Sequence, residues 1–423
     1  MNNNSLFNFI DNSPTPFHAV ANIREILTGE GFTELTEDKP FSLTENGKYF
    51  LTRNSSSLIA FTIGSLKDYR FKITASHTDS PAFKLKANGT LQLKDHYLKL
   101  NTEGYGGMLL APWFDRPLSI AGRVITSEND QLKETLVNID KNLAVIPNLA
   151  IHLNRKANEG VEYNKQVDML PLIGGAKCDE NTLNNLLADA SGCSANDILS
   201  SDIYLYNRDK ATYLGANDEF IGAPRLDDLE CVFACLQGFI SSSHETTSGI
   251  NVLACFDNEE VGSLSRQGAA STLLADTLKR INLALGKNEE DYLCAIAGSF
   301  MLSCDNAHAL HPNHPAKTDE TNSVYMNEGV VIKQNANQKY TSDAFSIAFF
   351  KKLCEKANVK YQHFANRSDE PGGSTLGNIA MSQVSVRSVD IGLACLGMHS
   401  TFETAGADDL ADMIAVNTEF YLS

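Results

Sequence analysis

Histidines and carboxylates follow several short apolar runs of the chain, each close to the point where the run ends. In an open α/β sheet, ligand sites lie outside the carboxyl ends of the strands, so we expect these side chains to meet at one edge. Asp227, directly before a helical pattern, joins them. The others are His77 and Asp79 after Phe71–Ala75; Asp257, Glu259 and Glu260 after Val252–Phe256; Asp305 and His308 after Phe300–Cys304; and His399 after Leu393–Met398.

A set of imidazoles and carboxylates without thiolates is typical of a zinc, manganese or cobalt site. Because a carboxylate can bridge, such a set can hold two ions about 3.5–4 Å apart, which together polarise a carbonyl and activate water. In the adjacent pair Glu259-Glu260, one carboxylate can bind metal while the other holds the attacking water and moves its proton. Each fragment alone equally fits a solvated loop end, so the argument depends on the whole set.

The elements that carry these residues alternate between strand and helix. The segment Ser13–Val20 is typical of a turn and the capped start of a helix, which we expect to end near Gly29 and Gly31. Apolar residues at helical spacing follow Asp227. Alternation of this kind predicts a mixed, largely parallel sheet flanked by helices, the α/β class. The predicted strands lie within Tyr49–Ile63, Phe71–Ala75, Ile250–Phe256, Ser299–Cys304, Val359–Phe364 and Val386–Leu396.

Between the two parts of the chain that show this pattern lies a segment with a different hydrophobic periodicity. From Ala82 onward apolar and polar residues alternate strictly, as in antiparallel strands with one wet face. We therefore predict an inserted β-rich domain over residues 82–222. Residues 1–81 and 223–423 together form the catalytic α/β domain in this interpretation.

Composition excludes several classes of partner. The 423 residues include 52 acidic and 35 basic side chains, giving a formal net charge of −17. No basic surplus is present to neutralise nucleic acid or an anionic membrane surface. The first residues lack a secretory signal pattern and no apolar run approaches the ~18 residues of a membrane span, so we expect a cytoplasmic protein. Nine scattered cysteines without a Cys-x-x-Cys motif fit reduced thiols.

The ordered series of candidate ligands resembles that of the cocatalytic two-zinc aminopeptidases. The surrounding motifs narrow the likeness to the aspartyl aminopeptidase family, and within it to the bacterial branch. The resemblance extends from Ser13-Pro14-Thr15-Pro16-Phe17-His18 to the end of the sequence. The motifs that carry it are Ser76–Pro81, Pro224–Asp227, Asp257–Ser263, Asp305–Asn313 and Gly397–Ser400.

The resemblance implies two zinc ions per subunit. One zinc would be held by His77 and Asp305, the other by Glu260 and His399, and Asp227 would bridge the two. Manganese or cobalt suits the same ligands. Three carboxylates against two divalent cations leave the pair electrophilic enough to activate water.

The same resemblance assigns catalytic roles to three further residues. Glu259 would be the general base and acid, and Asp79 would orient the imidazole of His77. His152, in the inserted domain, would reach the active site of a neighbouring subunit and stabilise its transition state. A histidine with a purely structural place on a strand is the alternative for His152.

Substrate and assembly are also implied. The family acts on peptides with a free N-terminus, and His308, Lys333 and Tyr340 match its pocket for an acidic Asp or Glu side chain. The family forms homo-oligomers, dimers that assemble into a hollow dodecamer, with the inserted domain mediating dimerisation. Two alternatives remain at this point: a two-metal amidohydrolase acting on acylated amino acids, and a non-catalytic hollow scaffold or cargo protein. A required free α-amino group separates the first from a peptidase.

Overall fold

A computed structural model describes residues 3–245 and 247–423, and Met1, Asn2 and Thr246 lie outside the described residues. The described residues pack into two compact units. The first comprises the chain up to Asp79, together with Ala211–Met398 and Glu403–Ser423. The second comprises Ser80–Lys210 and His399–Phe402.

The helices and strands of both units are numbered in chain order. The helices of the described residues are α1 (Asn4–Asp11), α2 (Pro16–Gly29), α3 (Thr182–Ser191), α4 (Leu226–Ser242), α5 (Leu273–Ala284), α6 (Glu289–Gly298), α7 (Ala344–Ala357), α8 (Leu376–Ala380) and α9 (Asp409–Leu422). The strands before the third helix are β1 (Thr33–Glu34), β2 (Lys48–Arg53), β3 (Ser57–Ile63), β4 (Phe71–His77), β5 (Ala82–Leu93), β6 (Tyr97–Tyr105), β7 (Leu118–Glu128), β8 (Gln131–Asn138) and β9 (Leu172–Gly174). Those after it are β10 (Ile198–Asn207), β11 (Thr212–Leu214), β12 (Phe220–Ala223), β13 (Ile250–Phe256), β14 (Phe300–Cys304), β15 (Ala307–His308), β16 (Val330–Gln334), β17 (Tyr361–Ala365), β18 (Arg387–Gly392), β19 (Ala394–Leu396) and β20 (Glu403–Gly406).

A nine-stranded sheet forms the centre of the first unit, in the order β1-β2-β3-β13-β4-β14-β18-β16-β17. β4 lies between β13 and β14 and pairs parallel with both. These three strands are buried along their whole length, as expected for strands covered by helices on both faces. The carboxyl ends of three parallel neighbours therefore meet at one edge of the sheet.

Successive side chains of the central strand β13 pack into two different hydrophobic clusters, one on each face of the sheet. In β13, Leu253 and Cys255 belong to a hydrophobic cluster that includes residues of α2, α4, α7 and α9. Val252 and Ala254 belong to a second cluster, which includes residues of α5 and α6. The first unit is thus a three-layer arrangement, and the mixed α/β architecture expected from the sequence is confirmed.

The start of α2 has local signals that the sequence carries. Thr15 is the N-cap and its hydroxyl accepts a hydrogen bond from the main-chain N–H of His18, while Pro16 occupies the first turn. The His18 ring lies 2.8 Å from the same hydroxyl. Burial of the ring, reinforced by the neighbouring Arg225 guanidinium, lowers the pKa of His18 to about 4. His18 is therefore a neutral, structural side chain at neutral pH.

The second unit is built on a six-stranded sheet in the order β8-β7-β10-β5-β6-β9. All its pairings are antiparallel. Its hydrophobic cluster includes Phe83, Trp113, Ile120 and Leu205. The strict alternation of apolar and polar residues after Ala82 is explained by the one buried face of this sheet.

The extent of the two units differs from the boundaries expected from the sequence. Residues 212–214 and 220–222, expected in the inserted domain, belong instead to β11 and β12, which lie in a five-stranded sheet of the first unit in the order β11-β12-β20-β19-β15. His399–Phe402, expected with the catalytic domain, cluster with the second unit. In the part of the chain that is described, no helix combines the length and apolar character needed to cross a bilayer.

Candidate active site

His77 is the last residue of β4 and its side chain is buried. Its Nδ1 lies 3.0 Å from the main-chain oxygen of Asp79 and 3.4 Å from that residue's Oδ1. Its Nε2 lies 3.4 Å from Oδ1 of Asp227. When Nδ1–H donates to the Asp79 carbonyl, the Nε2 lone pair faces the Asp227 carboxylate, which is the tautomer a metal ligand requires.

Asp227, Asp228 and Asp305 surround this imidazole. One ligand atom from each of these side chains and one from His77 all lie within 4.8 Å of one another, and all four residues are buried. An imidazole and three carboxylates, withdrawn from water and aimed at one point, form a nitrogen and oxygen donor set that suits zinc. The residues present therefore fit a divalent metal.

Burial and the neighbouring charges shift the pKa values of three of these side chains. Burial raises the pKa of Asp305, although the Lys333 ammonium opposes the rise. Burial also raises the pKa of Asp228 well above its ordinary value. For His77, burial lowers the pKa, but the Asp228, Asp227 and Asp79 carboxylates outweigh it and raise the pKa well above the ordinary value. A bound cation would relieve the repulsion among the carboxylates.

Asp228 is a member of the cluster that the sequence analysis did not identify. The sequence indicates only a helix that begins just after Asp227-Asp228, and both residues have non-helical backbone angles at the start of α4. Asp228 Oδ2 accepts a hydrogen bond of 3.1 Å from the main-chain N–H of His77. The main-chain N–H of Asp227 donates to Oε2 of Glu403 at 3.0 Å. The doubled aspartate was the only sequence signal for this residue.

Glu259 and Glu260 follow β13 in a short 3-10 turn, whose start needs a left-handed conformation at Asn258, with φ 62°. One ligand atom from each of them lies within 4.8 Å of one on His77. The Asp79 carboxylate holds the turn, since Oδ1 accepts from the Glu259 N–H and Oδ2 from the Glu260 N–H, both at 3.1 Å. The two oxygens of one buried carboxylate thus fix two consecutive main-chain groups.

Glu259 has the electrostatic setting of a proton acceptor. Burial raises the pKa of Glu259 to about 7, with the His77 imidazole opposing the rise and the Asp305 carboxylate adding to it. A carboxyl whose pKa lies near neutrality both accepts and returns protons efficiently.

His399 lies in the second unit, one residue after the stretch of the first unit that ends at Met398. Its backbone is left-handed, with φ 66°. Its Nδ1 lies 2.8 Å from the main-chain oxygen of Gly107. A proton on Nδ1 donated to this carbonyl leaves the lone pair on Nε2, the form in which histidine binds metal.

Lys333 is on β16 and is only 2% exposed. Its Nζ donates to the main-chain oxygen of Asn306 at 3.0 Å and lies 3.5 Å from Oδ2 of Asp305. Nζ also lies 5.5 Å from the centre of the Tyr340 ring, which is buried. Burial lowers the pKa of Lys333, but the Asp305 carboxylate outweighs it and raises the pKa. Lys333 and Tyr340 are thus brought together beside a candidate metal ligand.

His308 is exposed and lines a cavity of about 270 Å³. Phe364, Asn366, Arg367 and Met398 also line this cavity, which belongs to the first unit. His152 is exposed in a turn of the second unit, not on a strand. Its apolar neighbours in sequence, Ile151 and Leu153, are exposed as well.

A buried polar group beneath Asp305 gave no sequence signal. Glu230, on α4, is fully buried, and its Oε2 accepts from Nδ2 of Asn306 at 3.3 Å. Burial, together with the Asp409 carboxylate, raises the pKa of Glu230 to about 8. The thiol of Cys231 donates to Oδ1 of the same asparagine at 3.0 Å. In the sequence both residues belong to an ordinary apolar helix pattern, so their contact with Asn306 could not be foreseen.

Comparison with known proteins decides the family. The profile described as aminopeptidase I zinc metalloprotease (M18) matches residues 9–421, nearly the whole chain. The chain belongs to this family of zinc metallo-aminopeptidases. A relative named "Probable M18 family aminopeptidase 2" from Clostridium acetobutylicum is 48% identical, over 98% of this chain and 97% of the relative.

Solved structures share the M18 fold. A cryo-EM structure of a complex of Ape4 and Nbr1 contains a chain that is 36% identical, with a TM-score of 0.96 over 99% of this chain and 85% of that one. A structure described as the mApe1 dodecamer from S. cerevisiae is 25% identical, with a TM-score of 0.85 over 99% of this chain and 95% of that one. As an M18 aminopeptidase, this chain is a hydrolase and a metalloprotease.

Proposed function

We propose that this M18 enzyme is an aspartyl aminopeptidase of the bacterial type, which removes N-terminal Asp or Glu residues from peptides with the aid of two zinc ions. The observation that carries the proposal is the convergence of His77, Asp227 and Asp305 on one buried point at the end of the central strands. Membership of the family supplies the metal and the class of reaction.

The proposed ligands divide between two sites. His77 and Asp305 would hold one ion, Glu260 and His399 would hold the other, and Asp227 would serve both. Zinc pairs of this kind polarise the scissile carbonyl and lower the pKa of the attacking water. Manganese or cobalt would suit the same donors.

Glu259 performs the proton transfers in this proposal. Its carboxylate accepts a proton from water as the water oxygen attacks the carbonyl carbon of the peptide bond. It then delivers the proton to the leaving amine nitrogen as the C–N bond breaks. Support comes from its place at the end of a central strand, with a carboxylate oxygen within 4.8 Å of a nitrogen of His77.

Asp79 positions the general base Glu259 and does not itself bind the substrate in this proposal. Its carboxylate fixes the main chain of Glu259 and Glu260, and its main-chain oxygen orients His77. One residue thereby ties a metal ligand to the proton carrier, which keeps the reacting groups at constant separation.

Preference for acidic residues is assigned to His308, Lys333 and Tyr340. His308 faces the cavity of the first unit, and Lys333 provides a buried positive charge next to Tyr340. The chain as a whole carries −17, so an acidic substrate must be attracted by this local charge.

The decisive experiment is hydrolysis of N-terminal aminoacyl peptides by protein that has been stripped of metal and reloaded with zinc, manganese or cobalt. Release of Asp and Glu ahead of neutral residues, with no cleavage of N-acetylated peptides, is the expected result. Faster release of neutral residues would contradict the acidic preference. Cleavage of acylated amino acids alone would favour an amidohydrolase, and inactivity with every metal would favour a scaffold.

Assembly completes the proposal. The second unit mediates dimerisation, dimers build a dodecamer, and His152 contributes to the active site of a neighbouring subunit. The solved dodecamer of an M18 relative and the exposed apolar residues beside His152 support this view. Mixed oligomers of Glu259→Gln and His152→Asn subunits test it, because each parent is expected to be inactive while mixing restores part of the activity. No restoration on mixing would contradict a role in trans.

A further inference from the structure

The ammonium of Lys333 has its partners inside the protein. A buried ammonium is costly unless it is paired and hydrogen-bonded. Here it donates to the Asn306 carbonyl at 3.0 Å, lies 3.5 Å from Asp305 Oδ2, and faces the Tyr340 ring. With 2% of the residue exposed, its charge is directed at Asp305.

The carbonyl that receives this lysine is itself held in place. The side chain of Asn306 has a partner at each end, since Nδ2 donates to Glu230 and Oδ1 accepts from the Cys231 thiol. Both partners belong to α4, the helix whose first residues include Asp227. The Asn306 main chain therefore has little freedom to move, and Lys333 is anchored to a fixed acceptor.

We infer that Lys333 is a positioning residue for the metal ligand Asp305, and that Asn306, held by Glu230 and Cys231, fixes the lysine. The inference rests on the proposed function in taking Asp305 as a zinc ligand. One oxygen of Asp305 faces the ammonium, which sets the orientation of the carboxylate. Partners of this kind tune metal affinity, and their loss typically costs about 10- to 100-fold in affinity or activity.

This role differs from that of a substrate-binding cation in what a substitution changes. A lysine that only contacts the acidic side chain of a peptide affects KM for acidic peptides and leaves zinc binding intact. A lysine that positions Asp305 affects zinc binding in the absence of any peptide, and its loss slows the hydrolysis of neutral peptides as well as acidic ones.

The test compares Lys333→Met, which removes the charge, with Lys333→Arg, which keeps it, and with wild-type protein. Zinc affinity is measured on metal-free protein by competition with a chromophoric chelator, without substrate. Lys72→Met is the matched control, because Lys72 is another buried lysine of the same sheet whose Nζ donates to a main-chain oxygen, that of Tyr421, at 2.7 Å. Thermal unfolding of each metal-free protein checks folding, and Lys333→Gln replaces the methionine variant if that variant does not fold.

Lys333→Met is expected to weaken one class of zinc site by about 10- to 100-fold, with most of the affinity restored in Lys333→Arg and no change in Lys72→Met. Zinc affinity equal to wild type in Lys333→Met, with a higher KM for acidic peptides alone, would overturn the inference. An equal loss in Lys333→Met and Lys72→Met would overturn it as well. Failure of the proposed function looks different: wild-type protein would bind zinc and cleave none of the peptides.

Discussion

Asp79 offers the sharpest test of how the catalytic turn is held. Both of its carboxylate oxygens accept main-chain N–H groups, one from Glu259 and one from Glu260. In Asp79→Asn the amide has one oxygen and one NH₂ group, so a single N–H keeps its acceptor and the other faces a donor. Because Asp79 is fully buried, water does not replace the lost partner.

The loss of one hydrogen bond in Asp79→Asn sets the expected fall in kcat. A hydrogen bond to a charged group contributes about 1.5–3 kcal/mol, and its loss here falls on the turn that carries the proton acceptor. If this free energy is lost from the transition state, kcat falls by about 10- to 100-fold, since 1.36 kcal/mol corresponds to tenfold. KM should change little, because Asp79 does not contact the cavity lined by His308.

The assay measures kcat and KM for an acidic aminoacyl peptide, together with zinc content, in Asp79→Asn and wild-type protein. Asp319→Asn is the matched control, since the partly exposed Asp319 also accepts main-chain N–H groups, from Thr321 and Asn322. A kcat within about threefold of wild type at full zinc content would refute the positioning argument, given that one lost bond alone predicts tenfold. Loss of zinc with unchanged kcat per bound ion would refute it too.

Three further predictions concern the base, the pH dependence and the core. Glu259→Gln should retain zinc and assembly while kcat drops by about 10²- to 10⁴-fold, and unchanged turnover would exclude Glu259 as the base. The pKa of His18 is lowered to about 4 from its ordinary 6.5, so the contribution of this residue to stability is complete above pH 6.5 and should fall by about 2–3 kcal/mol as the pH drops to 4.5. Urea unfolding of the metal-free proteins measures it as the change in the difference between wild type and His18→Gln, and an equal pH dependence of the two proteins would contradict it. Tyr421→Phe removes a buried hydroxyl that donates to the Val252 carbonyl at 2.9 Å, and should lower the free energy of unfolding by about 1–3 kcal/mol with kcat unchanged; a drop in kcat would contradict a purely structural role.

Periodicity was enough to predict the strands that carry the site. Three runs dominated by apolar residues come directly before or end at His77, Asp257 and Asp305, and each is a strand of the central sheet. The rule that ligands lie beyond carboxyl ends then placed His77 and Asp305 near Asp227, as the structure does.

The residues that the sequence did not reveal are those defined by burial and by contact across the fold. Glu230 follows Asp228 on a helix whose pattern gives no sign that a carboxyl group points inward. The family resemblance assigns Lys333 to the substrate pocket, but its contact with Asp305 depends on where its strand lies in the sheet. The strand of residues 212–214 pairs with that of residues 220–223, and the latter pairs with Glu403–Gly406. These pairings between distant parts of the chain assign both strands to the first unit, and local sequence does not indicate them.

The central sheet closes by joining distant parts of the chain. β4 ends before the second unit begins, whereas its neighbours β13 and β14 start at Ile250 and Phe300. A nascent chain that has emerged only through residue 249 therefore exposes the two long edges of β4 without either partner strand. Contacts of such long sequence separation make folding slow, and an unpaired strand edge is prone to aggregation. The same connectivity keeps a half-made polypeptide from acting as a peptidase, because Asp227, Glu259 and Asp305 are synthesised only after the whole of Ser80–Lys210.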